Sequence, residues 1–243
     1  MIRQFLFIAV ISALSGIMSC TTDDISCQRV SSEIITDKKD LTGFDGVVFT
    51  AVGDVRLIQG NDFKFTMQGP KNVVEAVETE IVGSDLLISS SSCFNGFTGD
   101  NQLIIKITAP SFVNLEMSGT GDMKSVNTLT GEQIAIAFLG VGSLIVDMDM
   151  DSAHTEIAGS GMVKLTGVAG KHDLLQAGTA AVDAAGLVTD TTKIVHRSNE
   201  DGYIFSNEFI EAELTGSGNV YYQGNPVVQS VISGSGKLIY RGN

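Results

Sequence analysis

The sequence predicts an all-β protein whose carboxyl-terminal half is a right-handed parallel β-helix, a solenoid of short stacked coils. Three observations carry that prediction. Seven units centred on glycine recur at steps of 21, 19, 19, 19, 19 and 18 residues: Ser118-Gly119-Thr120-Gly121, Leu139-Gly140-Val141-Gly142, Ala158-Gly159-Ser160-Gly161, Ala177-Gly178-Thr179-Ala180, His196-Arg197-Ser198-Asn199, Thr215-Gly216-Ser217-Gly218 and Ser233-Gly234-Ser235-Gly236. A fixed period of this length marks a stacked repeat. Aligned on their glycines, the units make apolar columns: Met117, Phe138, Ile157, Gln176, Val195, Leu214 and Ile232 before the glycines, and Met123, Leu144, Val163, Val182, Asp201, Val220 and Leu238 after them. Residues two apart share one face of a strand, so each unit reads as a strand with an apolar inner side, bent at the glycines. Finally, no window in 115–243 carries an apolar stripe of helical period.

The elements follow in order. Residues 1–19 read as a signal peptide: Arg3 supplies the positive start, and Phe5 to Leu14 is an apolar run too short to span a bilayer. Ser15-Gly16-Ile17-Met18-Ser19-Cys20 resembles a bacterial lipobox, with Met18 where a smaller residue is usual. That makes Cys20 the acylated first residue of a mature lipoprotein, tethered by lipid rather than embedded. Thr21-Thr22-Asp23-Asp24 either resembles the surface-export signal of some Gram-negative lipoproteins or is an acidic linker. The expected place is the outer membrane. Residues 20–40 read as a polar tether and 41–114 as a β-rich first part. In that part Val48, Thr50 and Val52 alternate, as do Phe63, Phe65 and Met67. Pro70 opens a short helix over 70–77 with Val73, Val74 and Val77 on one side. A hairpin turns at Gly83-Ser84-Asp85, and Leu103, Ile105 and Ile107 begin a strand that stops near Pro110. Residues 115–243 are the repeat portion. Its fifth unit breaks the pattern, placing Arg197, Asn199 and Asp201 in inner columns. An insertion around Glu200-Asp201-Gly202 would return Ile204 or Phe205 to the inside, so a bulge or loop is expected there.

Composition narrows the function. The formal net charge is −13 and Trp is absent. Such a surface repels nucleic acid and anionic lipid, and no basic run offsets it. With Cys20 acylated, Cys27 and Cys93 remain; export permits a disulfide between them, and two separate thiols are the alternative.

Few residues suggest chemistry. Asp147, Asp149 and Asp151 share one strand face, a weak Ca²⁺ candidate, or else a solvated outer face. Tyr203, Tyr222 and Tyr240 recur one coil apart and read as a stacked column. His154, His172 and His196 show no metal-binding spacing and read as isolated surface histidines. The middle residues of the units, Thr120, Ser160, Thr179, Ser198, Ser217 and Ser235 with Val141, form an outward ladder. It either faces a glycan or a protein edge, or its hydroxyls satisfy local backbone groups. No cofactor motif, phosphate loop or nucleophile elbow occurs.

Phe44-Asp45-Gly46-Val47, then Gly53-Asp54-Val55-Arg56-Leu57-Ile58-Gln59-Gly60, then the Gly-Ser-Gly series ending in Ser233-Gly234-Ser235-Gly236-Lys237-Leu238 resemble the putative auto-transporter adhesin, head GIN domain family over about Leu41 to Asn243. The resemblance implies a β-rich parallel helix and suggests adhesion; it supplies no catalytic residues. The expected function is therefore that of a non-enzymatic, lipid-tethered adhesin or scaffold binding a glycan or protein along its side. A polysaccharide-active β-helix enzyme and a structural envelope protein without a ligand are the alternatives.

Overall fold

A computed structural model of the chain describes residues 27–97 and 101–242. The first strand, β1 (Gln28–Arg29), and β2 (Ile34–Lys39) show that the fold begins inside the expected tether of 20–40. They are followed by β3 (Gly46–Phe49), β4 (Asp54–Gln59), β5 (Lys64–Pro70), the single-turn helix α1 (Lys71–Glu75), β6 (Glu78–Val82), β7 (Asp85–Ser89), β8 (Phe94–Asn95) and β9 (Ile104–Ala109). The helix starts after Pro70 and buries Val73 and Val74, as its sequence predicts. β6 and β7 form the expected hairpin, with Val82 opposite Asp85 and Gly83 at a φ of 66° in the turn.

The repeat portion is β10 (Asn114–Met117), β11 (Thr120–Ser125), β12 (Leu129–Phe138), β13 (Val141–Ile157), β14 (Ser160–Gln176), β15 (Thr179–His196), β16 (Gly202–Phe205), β17 (Phe209–Leu214), β18 (Val220–Gln223), β19 (Val227–Ile232) and β20 (Leu238–Tyr240). All pairings among these strands are parallel. Two legs of each rung meet at the glycine corner, and the middles of β13 to β15 stack between them. One leg stacks β3, β10, the ends of β12 to β15, β17 and β19. The other stacks β4, β11, the starts of β13 to β15, β16, β18 and β20. The predicted β-solenoid is therefore present.

The first rungs are not in chain order. The β3–β4 rung comes first in sequence, but β7 and β9 pair on its outer side and β10 and β11 on its inner side. Antiparallel strands then close that end: β6 on β7, β5 on β9, and β2 on β5. Covering the end hides edges that would otherwise expose unpaired backbone groups.

The core is one apolar cluster running through both parts. Phe49, Met117, Phe138 and Ile157 stack along one leg and Val55, Met123, Leu144, Val163 and Val182 along the other, all essentially inaccessible. Each such side chain contributes about 1.5–3 kcal/mol on burial.

The fifth unit is displaced from its predicted phase. Lys164 faces Asp183 but Thr166 faces Gly186, so one extra residue is accommodated at Ala184–Ala185. Side-chain parity reverses from there. His196 rather than Val195 follows Gln176 in the first column, and Gly202 rather than Asp201 follows Val182 in the second. Ile204 does return inside, as predicted. The bulge, however, precedes the corner instead of lying at 200–202, because parity had to be corrected before the inner leg began.

Candidate functional site

The corner is shaped by carbonyl oxygens stacked rung on rung. A Cβ on Gly140 would overlap the Gly119 oxygen, and one on Gly142 the Gly121 oxygen; Gly142 also sits at a φ of 135°. Glycine is required because the preceding rung's backbone fills the space, and for Gly142 because L side chains avoid that φ. The corner is thereby left shallow on its outside, forming a groove of about 470 Å³ along the rod.

Thr120, Ser160, Thr179, Ser217 and Ser235 stand exposed at the middle of their corners, as predicted. Among the described residues their hydroxyls make no protein hydrogen bond, so local backbone satisfaction does not explain them. Ser198 does not belong to this ladder. The displaced fifth unit puts it in the first glycine column, buried, with its Oγ donating to the Gly178 carbonyl at 2.6 Å and accepting from the Glu200 N–H at 3.0 Å. Asn199 takes the outward position, exposed. Sequence alignment alone missed Asn199 because the bulge is invisible to a fixed period. Leu139 and Val141 add an apolar rim, 42% and 55% exposed, and Arg197 is the only charged residue lining the groove.

The groove's backbone is already used. Val141, Ser160 and Thr179 donate their N–H groups to the carbonyls of Gly119, Gly140 and Gly159. What remains for a ligand is side chains: hydroxyls, an amide, an apolar rim and one guanidinium.

The other candidates fall elsewhere. Asp147 accepts from Thr128 Oγ1 at 2.5 Å and from Thr166 Oγ1 at 2.9 Å, while Asp149 and Asp151 are exposed. Asp147 and Asp149 face Thr166 and Val168 on the next rung, and no group of three His, Cys, Asp or Glu among the described residues could hold a metal ion. Asp147 is thus a hydrogen-bond acceptor between rungs, and Asp149 and Asp151 stand on the outer face.

The tyrosines form two stacks, not one column. Tyr203 stacks on Tyr221 at 5.1 Å, with Arg241 over Tyr221 at 4.3 Å, and Tyr222 packs on Tyr240 at 5.4 Å. Two of the three histidines are interior. His172 shares a 3.1 Å hydrogen bond with Thr155 Oγ1, and burial, helped by His154, lowers its pKa to about 4. His196 is also buried, and its desolvation lowers its pKa. Its Nε2 lies 2.9 Å from the Glu200 carbonyl, which requires that nitrogen to carry the proton.

Cys27 and Cys93 are joined in a disulfide, which ties β1 to β8. Such a bond suits an oxidising, extracytoplasmic setting. Cys20 lies outside the described residues.

The model of the family described as "Putative auto-transporter adhesin, head GIN domain" matches residues 43–226. The chain belongs to this family. Among solved structures, a putative adhesin from Bacteroides fragilis superposes with a TM-score of 0.83 at 24% identity, covering 88% of this chain and 99% of its own. A putative lipid binding protein from Parabacteroides distasonis gives a TM-score of 0.71 at 16% identity, covering 89% and 100%. A putative adhesin from Parabacteroides merdae gives 0.62 at 19% identity, covering 88% and 98%. These likenesses establish the fold. No curated protein matches the sequence.

Proposed function

We propose that this head GIN domain protein is a lipid-anchored, non-enzymatic adhesin of the outer membrane that binds a glycan in the glycine-corner groove. The observation that carries the reading is the row of exposed hydroxyls left without protein partners beside an apolar rim. Sugars present hydroxyls and weakly apolar faces together, and this surface complements both. An extended peptide would draw its affinity from main-chain pairing, and here the corner N–H groups of Val141, Ser160 and Thr179 are already taken by the preceding rung. The adhesin description of the family and of its relatives agrees with a holding role. No carboxylate lines the groove, whereas glycoside hydrolysis ordinarily uses a pair.

The test is a panel of host and bacterial glycans and matrix proteins presented to the exported protein. Glycan binding without turnover is expected. The combined Ser160→Ala, Thr179→Ala, Ser217→Ala variant should bind about tenfold or more weakly, since each hydrogen bond contributes roughly 0.5–1.5 kcal/mol. Polymer cleavage, or capture of matrix protein only, would overturn the reading. The anchor is tested separately: Cys20→Ala should release the protein from the membrane fraction.

A further inference from the structure

The two ends of the solenoid are finished differently. At the amino-terminal end, antiparallel strands cover the first rung, and the outermost of them carry charges: Glu78 and Glu80 on β6, and Asp37, Lys38 and Lys39 on β2. Charged edge strands resist pairing with other chains. At the far end, β19 pairs with β17 alone among the described residues. All six of its residues are exposed, with Val227 at 70%, Val231 at 66%, Ile232 at 46% and Val228 at 37%. From Asn225 to Gly236 the chain carries no charge, in a protein whose net charge is −13.

We propose that this open rung is the contact surface for a second copy of the chain, joined through β19 about a two-fold axis. The inference goes beyond the binding role of the corner groove and does not depend on it. Two features select a second copy. The strand reads Val227-Val228-Gln229-Ser230-Val231-Ile232, apolar pairs flanking a polar centre, so reversing it presents the same pattern. Its backbone is also poised for antiparallel pairing. Val227 donates its N–H to Glu208 and Ser233 to Leu214 on the preceding rung. In a parallel ladder the donors alternate, so the N–H and C=O groups of Val228, Ser230 and Ile232 point to the free edge. These are the residues whose columns face the core, through Ile210, Ala212 and Leu214.

Antiparallel pairing about Ser230 therefore sets Val228 against Ile232 of the partner subunit and Ser230 against Ser230 of the partner subunit, each a hydrogen-bonded pair. Inner faces meet inner faces, and apolar residues cover apolar ones. Such an isologous contact closes on itself and stops at a dimer. No charge on β19 is desolvated.

The test is made on the full chain. In a hydrogen-bonded antiparallel pair, opposed Cα atoms lie about 5.5 Å apart, within disulfide reach. Ser230→Cys should therefore give a reducible dimer on mild oxidation, whereas Thr128→Cys, exposed far along the rod, should not. Sedimentation of the unmodified chain should show monomer converting to dimer across a dilution series. Ser230→Pro removes an edge-facing N–H without touching the bonds to β17, so it should leave the melting temperature unchanged and the protein monomeric. A monomer at every concentration with no Ser230→Cys cross-link would overturn the proposal. So would open-ended polymers, or cross-linking to a different protein only.

Discussion

At the scale of single residues, the corner glycines and the buried histidines dominate. Gly142→Ala places a methyl against the Gly121 carbonyl at a φ of 135°. The obstacle is backbone held in the rung, so relief requires the rungs to part. Destabilisation of about 2 kcal/mol or more is expected in urea unfolding. Gly131→Ala is the control, because its Cβ would meet only the flexible Met150 side chain at 3.4 Å; the change should stay within about 0.5 kcal/mol. His172 sets an acid limit on stability. Its folded pKa of about 4 lies below the ordinary 6.5, so the unfolded chain takes up the proton first. Its contribution is fully present above about 6.5, is lost as pH falls towards 4, and does not change further below that. The loss is on the order of 3 kcal/mol. His172→Asn should flatten the fall in unfolding free energy between pH 7 and pH 4.5; His196, whose pKa is also lowered, acts with the same sign.

At the scale of elements, the bulge in β15 sets the phase of everything after it. Lys164 faces Asp183 and Thr166 faces Gly186, so removing Ala185 leaves every flanking pair and every inward residue where it was. Deletion of Ala185 should therefore preserve soluble expression and the melting temperature to within a few degrees. Deletion of Val168, in β14 opposite Asp149 and Val188 with no bulge beside it, turns the following side chains to the wrong face and should abolish folding. Thermal melts of both variants check this. The corner motif, the inner columns before Ala184 and the β6–β7 hairpin were all legible, because period-2 alternation and glycine spacing are local signals. The fifth unit was not: Ser198 and Asn199 exchange roles because one inserted residue leaves no mark on a spacing that still averages close to 19 residues.

At the scale of the whole molecule, the amino-terminal part is a cap and the disulfide fastens its outer edge. Cys27 and Cys93 are 66 residues apart and hold β1 on β8, a two-stranded sheet not hydrogen-bonded into the stacked rungs. Reduction, or Cys27→Ser with Cys93→Ser, should raise amide exchange in residues 27–33 while the corner amides of 139–179 stay protected. Loss of protection throughout the rod would instead make the bridge essential to the solenoid. The groove and the open rung lie on different parts of this frame, so glycan binding and dimer formation should be separable by Thr179→Ala and Ser230→Pro.

By itself the sequence determined the all-β class, the rung length, the corner chemistry and most of the outward ladder. Each of these is written in short-range periodicity, and periodicity follows from how a strand alternates its faces. Only the tertiary structure decided that the β3–β4 rung sits between its later neighbours, that His172 and His196 are interior, and which hydroxyls lack partners. Those outcomes depend on which distant strands lie side by side, and parallel pairing across a rung leaves no local trace in either strand.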